Sequence, residues 1–460
     1  LSKANSKELG KGLSELGGWL GVALIAVAVF AYSKATPFPG VYALIPVLGA
    51  VLIILFATHQ TTVGRFIGSK VFVGIGLISY SAYLWHQPLF AFARHRTVAE
   101  PSKIEFFSLT ILALVLAFFS WKFIEGPFRN KDRFKRTSIF LVSIIGSFLF
   151  ISIGLIGHLT DGYKERFEPG LFSKIPNMSL FEEQVKRCYE IVERTPSVNY
   201  SCSLGDIAGP IKFGLLGDSH AGSLLYVLDK QAKSVNLQGR NYSFRSCPPL
   251  SMALPVTAES GERACYELRK DFFETLESNP SSIPDIIVVN ARWALLMSKD
   301  RYNNSEGGIE SGAPKVWNFS SLGRDYSKSM HLEIVGSIKK MIDAGKTVIL
   351  IYPVPEMGWD VPRVLGRHLL LEGRISATAA SVSYSNFLER NKSAIDALDS
   401  IHDSERLIRL RPDKMLCNTY VENRCVAHLN GEALYFDSNH LSNKGAELVL
   451  KNIFSVPALK

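Results

Sequence analysis

Three short segments carry residue types that could perform acyl-transfer chemistry together. IKFGLLGDSH, residues 211–220, runs an apolar stretch into a turn and places Ser219 where a helix would begin. A serine hydroxyl becomes a useful nucleophile only with a base beside it. FDSNHLS, near the end of the chain, supplies His440 as that base. Asp437, three residues earlier, would orient the imidazole and stabilise its charged form. Asn290 closes the run IIVVN and offers a side-chain amide to the same edge. The Ser219 backbone N–H, at a helix start, could face a developing oxyanion. Each piece alone is ordinary: a GDS turn serves more often as a helix cap than as a nucleophile, and Asp-x-x-His is commonly a surface loop. Their joint occurrence at successive strand ends argues for catalysis. His220 reads as a local hydrogen-bonding residue rather than a second base, and Trp293 as a packing residue.

The elements that must position these residues follow from the hydropathy pattern. Strands are predicted in 211–220, where an apolar run ends in a turn, near 236–245, over 284–293 and over 346–355, with helices over 221–233 and near 265–278, 326–344 and 380–399. Short apolar runs separated by helices predict an α/β domain, a parallel sheet with helices on both faces. In such folds ligands sit at the carboxyl ends of the strands. No phosphate-binding glycine loop is present. The six cysteines, Cys188, Cys202, Cys247, Cys265, Cys417 and Cys425, all lie in this half. An even number confined to one region fits disulfides in an oxidising compartment. Sequence neighbours would pair as 188–202, 247–265 and 417–425, although six cysteines leave fifteen connectivities open. No C-x-x-C spacing is present, so no metal site is expected.

The first half has a different character. The whole chain of 460 residues is 47% hydrophobic and 20% charged, which excludes a disordered chain. With 21 Pro and 28 Phe and no repeat, it is neither coiled coil nor collagen. Residues 1–157 hold five apolar runs, near 16–33, 41–57, 71–93, 106–124 and 138–157. Each approaches the roughly 20 residues that cross a bilayer core of about 30 Å. Lys3, Lys7 and Lys11, then Arg65 and Lys70, then Arg129, Lys131, Arg133, Lys135 and Arg136 lie in alternate loops. The positive-inside rule puts those loops in the cytoplasm, and everything after His158 outside. Arg94, Arg96 and Lys103 oppose this weakly. The net charge of +9 is thus partly a topology signal, and no nucleic-acid motif accompanies it. His86, ionisable within a membrane segment, is a functional candidate. Glu125 is a second, expected to pair with Arg129. No signal-peptide cleavage pattern opens the chain. Because Leu1 rather than Met begins it, a longer parent protein is expected.

GDSH, Asn290 and DSNH resemble the first, third and fifth blocks of the SGNH hydrolase superfamily, over about residues 209–455. The resemblance implies a Ser219, His440 and Asp437 triad, with Ser219 and Asn290 as oxyanion donors. The glycine block departs from the pattern: Gly239 lies early in its strand, and the backbone near Ser246 is the expected further donor. IGLISYSAYLWHQPLF (75–90) and SWKFIEGPFR (120–129) resemble the carboxyl-terminal motifs of the acyltransferase-3 membrane family. Together these imply residues 1–157 as the end of a transmembrane domain, 158–208 as a periplasmic linker or extension, and 209–460 as an SGNH-like domain. They imply an O-acetyltransferase of the bacterial inner membrane, multi-pass, with its C-terminal domain in the periplasm. Acetyl-CoA would be the donor, handled through the membrane domain, and no cofactor would be bound in the SGNH domain. A surface polysaccharide would be the acceptor, lipopolysaccharide O-antigen being favoured. The alternatives are a carbohydrate acetylesterase, a peptidoglycan O-acetyltransferase and a non-catalytic polysaccharide-binding protein. The family's amino-terminal basic and histidine motif has no counterpart here, so the acyl-CoA site is not assigned.

Overall fold

The computed structural model describes residues 10–32, 36, 40–97, 101–129, 135–163, 178–251, 260–310, 325–451 and 453–455. The chain divides into two compact units, Leu1–Lys164 and Glu165–Lys460. Lys3, Lys7, Lys131 and Arg133 lie outside the described residues.

The first unit is helical. Its long helices are Lys11–Ala31, Leu44–Phe56, Lys70–Arg96, a continuous run from Lys103 to Arg129, and Arg136–Leu159. Their apolar side chains point outward. Arg136–Leu159 buries no residue at all, and Phe148 and Phe150 are about three-quarters exposed (74% and 75%), as lipid-facing helices require. Among the described residues three helices are long and apolar enough to cross a membrane: Lys11–Ala31, Lys103–Arg129 and Arg136–Leu159. The other two predicted spans differ. Leu44–Phe56 has 13 residues, and Lys70–Arg96 breaks its apolar run with Tyr80, Tyr83, His86 and Gln87. The first two helices pack through reciprocal glycines: a Cβ on Gly21 would meet the Gly49 carbonyl, and one on Gly49 the Gly21 carbonyl. Small residues allow such close approach between apolar helices. Ser102 and Glu105 form a capping box that starts the helix at Lys103.

The second unit is built on a six-stranded sheet. Its strands are β1 (Cys202–Gly205), β2 (Ile211–Gly217), β3 (Gln238–Ser243), β4 (Ile286–Asn290), β5 (Thr347–Ile351) and, after the two-residue β6 (Val382–Ser383), β7 (Leu407–Leu410). The order is β1-β3-β2-β4-β5-β7. All pairs are parallel except β1 with β3. Every residue of β4 is buried, as expected of a strand covered on both faces. Helices 225–234, 260–278, 326–343 and 384–399 supply much of that cover. Trp293 is buried, and its indole N–H donates to the Ile351 carbonyl at 2.8 Å, so it packs the core.

Two strands of the main sheet, β1 and β7, were not predicted, nor were helices Met178–Arg194 and Val361–Glu372. β1, together with helix Met178–Arg194, falls in the stretch read as linker or extension, yet it closes the sheet as an antiparallel edge. β7 is four residues long and alternates Leu, Ile, Arg, Leu, too short for a pattern to declare itself. Disulfides join Cys188 to Cys202, Cys247 to Cys265 and Cys417 to Cys425, closing loops of 14, 18 and 8 residues. The first staples the 178–194 helix to β1. Bridges of this size stabilise a domain by about 2–4 kcal/mol each, chiefly by constraining the unfolded chain.

Candidate active site

The turn that carries Ser219 is shaped by β2 and β4. Gly217 ends β2 with φ +150°, and a Cβ there would run into the Asn290 carbonyl of the neighbouring strand, so only glycine fits. Asp218 then caps the short helix Ser219–Gly222 by accepting the His220 N–H at 2.8 Å. Its second oxygen accepts the Arg292 N–H at 2.9 Å, which ties the turn to the segment after β4. Burial raises the Asp218 carboxyl above its ordinary value, and the two backbone donors oppose that shift only in part.

The second loop, Asp437–His440, folds on its own aspartate. Asp437 Oδ1 accepts the backbone N–H groups of Asn439 and His440 at 2.8 and 2.7 Å. Asp437 Oδ2 faces His440 Nδ1 at 2.6 Å, and His440 Nε2 faces Ser219 Oγ at 2.8 Å. With a carboxylate at Nδ1, that nitrogen carries the proton, and Nε2 is free to accept from the serine hydroxyl. The ring is backed by Phe436, stacked 5.3 Å away at 7°. Burial alone would raise the Asp437 carboxyl, but the hydrogen bond and charge of His440 outweigh it and bring the value to about 2. Ser219, His440 and Asp437, chosen from sequence, therefore form one continuous hydrogen-bonded chain.

The chain opens into a cavity of about 280 Å³ lined by Ser219, Ser246, Arg292, Arg301, Glu310, Asp437 and His440, with Leu295 and Leu296. Ser246 is exposed, has φ +54°, and sits in a turn closed by the Cys247 N–H on the Phe244 carbonyl at 3.1 Å. The structure thus brings it to the same cavity as Ser219.

Asn290 is placed differently from the expectation. β2 and β4 are in register with Gly217 opposite Asn290, so its fully buried side chain lies behind the turn. Its Nδ2 donates to the His220 carbonyl at 3.1 Å, and it does not line the cavity. In this arrangement one of its two amide N–H groups braces the turn that carries Ser219. His220 is buried, and its Nε2 lies 3.0 Å from Asn439 Oδ1.

Sequence reasoning missed the ion network in the wall. Arg292 bonds both oxygens of Glu310 at 2.9 and 2.5 Å, and its Nε donates to Glu356 at 2.6 Å. Arg390 bonds the other Glu356 oxygen at 2.8 Å, and Arg301 reaches Glu310 at 2.8 Å. Burial would raise the Glu356 carboxyl, but Arg292 and Arg390 hold it below its ordinary range. The only local hint is that Arg292 follows Asn290 at a strand end.

The membrane-unit candidates lie apart from one another. Glu125 pairs with Arg129 at 2.6 Å and accepts from Ser81 at 3.1 Å. It lines a cavity of about 490 Å³ with Trp85, Pro88 and Ser120. His86 does not line it, and its Nδ1 lies 2.7 Å from the Tyr83 carbonyl one turn back.

A family model described as "SGNH domain (fused to AT3 domains)" matches residues 187–453, more than half of the chain. The chain belongs to this SGNH family. The match takes in both loops of the site and begins upstream of β1, so the antiparallel edge is part of the SGNH domain. The O-acetyltransferase OatA of Staphylococcus aureus is 31% identical over 114 residues, which cover 22% of this chain and 19% of that protein. The chain thus spans about a fifth of the length of this curated relative. A solved structure titled as the periplasmic domain of a Salmonella ser. Paratyphi A lipopolysaccharide acetyltransferase aligns with 60% of this chain and 95% of its own. Its identity is 16% and its TM-score 0.39.

Proposed function

We propose that this SGNH protein is a membrane-bound O-acetyltransferase that passes an acetyl group through Ser219 to a hydroxyl of a bacterial surface polysaccharide. The observation that carries this reading is the hydrogen-bonded chain Ser219–His440–Asp437 opening into a polar cavity. In the first half-reaction His440 Nε2 takes the Ser219 proton as Oγ attacks the acyl carbonyl, and the leaving group departs with that proton. In the second, His440 takes the proton of a sugar hydroxyl, the new ester forms, and the proton returns to Ser219 Oγ. Asp437 holds the ring and stabilises its charge in both. The Ser219 backbone N–H and the turn at Ser246 are the proposed oxyanion donors.

The membrane helices support a role in donor supply, since a secreted esterase needs none. In this reading acetyl-CoA is the ultimate donor, a substrate on the cytoplasmic side. The three disulfides and the basic loop at 129–136 support an inner-membrane protein with the SGNH domain in the periplasm. That compartment favours lipopolysaccharide O-antigen over peptidoglycan as the acceptor. The arginines and carboxylates around the cavity suit a hydroxylated acceptor.

The test is to incubate the full chain in detergent with an activated acetyl ester, with and without an O-antigen oligosaccharide. Acetylated oligosaccharide is the expected product. Free acetate alone, unaffected by the oligosaccharide, would make the protein an esterase, and no turnover would make it a binding protein.

A further inference from the structure

We infer that His220 and Asn439 form a clamp that holds the general base over Ser219 during the acyl-enzyme stage. This rests on the reading of Ser219, His440 and Asp437 as the catalytic chain. The two catalytic loops are 221 residues apart in sequence; the Met357 and Gly358 N–H groups hold the base loop by its Ser438 carbonyl at 2.8 and 3.1 Å, but these bonds do not reach the turn that carries Ser219. The Ser219–His440 hydrogen bond cannot fix the spacing of the loops throughout the cycle. Once Ser219 Oγ carries the acetyl group it has no proton to donate, and that bond is lost. Asp437 holds His440 only within its own loop.

His220 follows Ser219 directly, and Asn439 directly precedes His440. Both are buried, at 2% and 4% exposure, and their side chains meet at 3.0 Å. Facing an amide oxygen, His220 Nε2 carries the proton and donates it. Asn439 is in turn fixed, its backbone N–H on Asp437 Oδ1 and its Nδ2 on Ser438 Oγ at 2.9 Å. At the other end the His220 carbonyl accepts from Asn290 Nδ2 and from Ser223 Oγ at 2.7 Å. The bond therefore joins two anchored segments and does not change during the reaction. The His220 ring lies 4.8 Å from that of His440, so it must do this as a neutral donor. A second positive ring there would oppose the imidazolium that forms on His440. Burial, then His440 and Arg292, keep His220 neutral. His220 lies outside the cavity, and Asn439 reaches its wall with its side chain bonded to His220 and Ser438, so both are positioning residues.

The two half-reactions should respond unequally. In acylation the Ser219 hydroxyl itself aligns His440. In transfer, with that bond gone, the clamp is the direct side-chain hydrogen bond left between the two loops among the described residues, so its loss should slow transfer more than acylation. Misplacement of a base by about 1 Å costs on the order of a hundredfold in rate.

The experiment is burst kinetics of the full chain with 4-nitrophenyl acetate, comparing wild type with His220→Ala, Asn439→Ala, the double variant and His220→Gln. Each alanine variant should lose about ten- to a hundredfold in steady-state turnover while keeping a burst of nitrophenolate. The double variant should be no worse than the poorer single, and His220→Gln, which retains an amide donor, should recover part of the loss. Losses that multiply in the double variant, a burst slowed as much as the steady state, or no recovery with Gln would overturn the clamp. Wild-type turnover in Ser219→Ala, measured alongside, would instead overturn the catalytic reading itself.

Discussion

The nucleophile turn and the base loop are both headed by an aspartate that accepts two backbone N–H groups, yet the two carboxylates are driven in opposite directions. Asp218 serves His220 N and Arg292 N and has burial as its dominant influence, so its carboxyl is raised. Asp437 serves Asn439 N and His440 N but also faces an imidazole, so its carboxyl falls to about 2. The same local geometry thus yields a capping residue in one loop and a charge-stabilising residue in the other. What separates them is one partner, His440 Nδ1. Asp218 shapes the turn, while in the proposed reaction Asp437 acts on the proton that moves.

The widest gap should open when the two loops lose their reacting groups. His440→Ala should leave almost no ester turnover, because the base is gone in both half-reactions. Asp437→Asn should cost on the order of 10²–10⁴ in rate, since the ring loses its tautomer and charge support but keeps its place. Steady-state turnover of the three proteins under one set of conditions checks this order. A His440→Ala variant more active than Asp437→Asn would break it.

Asp218→Asn sharpens the contrast from the other side. An amide can accept one of the two backbone bonds but must point N–H at the second donor. Leaving a buried donor unpaired costs about 1–3 kcal/mol. Asp218→Asn should therefore lower the thermal midpoint of the SGNH domain clearly, and Asp437→Asn should lower it less, because the Asp437 side chain is 38% exposed. Equal shifts in the two variants would erase the distinction between capping and charge support.

Smaller still is the pH dependence of stability. His220 is neutral in the fold, its value driven down by burial first and by His440 and Arg292 next. The unfolded chain takes up a proton there below the ordinary value of 6.5, so stability falls as pH drops through that value. One such group contributes up to about 1.4 kcal/mol per pH unit. Asp437 acts in another window: its stabilisation is complete above 3.8 and is lost as pH falls towards 2. His220→Gln should therefore flatten the decline in thermal midpoint between about pH 6.5 and 5. The flattening should be partial, because His428 is also lowered, by burial. An unchanged slope would mean that His220 is not the buried neutral group.

Much of this site was legible because its chemistry is local. GDSH and DSNH each place a capping aspartate two or three residues from the group that it holds, and such spacing survives in a sequence. Helix 361–372 was not predicted, although it carries local signals: Asp360 as cap, Pro362 in the first turn and Gly373 at φ +67° after the last. The ion network was not legible, because Arg292 meets Glu310 and Glu356 across 18 and 64 residues, and no spacing encodes that. Asn290 shows a finer limit. Its strand position was read from the pattern, but the direction of its amide is set by register with Gly217 and by the His220 carbonyl. In the membrane unit, apolar runs gave the helices, whereas the brevity of Leu44–Phe56 depended on where the chain turns.

The central claim is that Ser219 carries the acetyl group. The full chain, mixed with an activated acetyl ester and quenched in acid, can be digested and its peptides weighed. One acetylated peptide is expected, the one containing Ser219, which loses its label when the oligosaccharide is added before the quench and is absent from Ser219→Ala. Acetyl on a different residue, or undiminished transfer by Ser219→Ala, would contradict it.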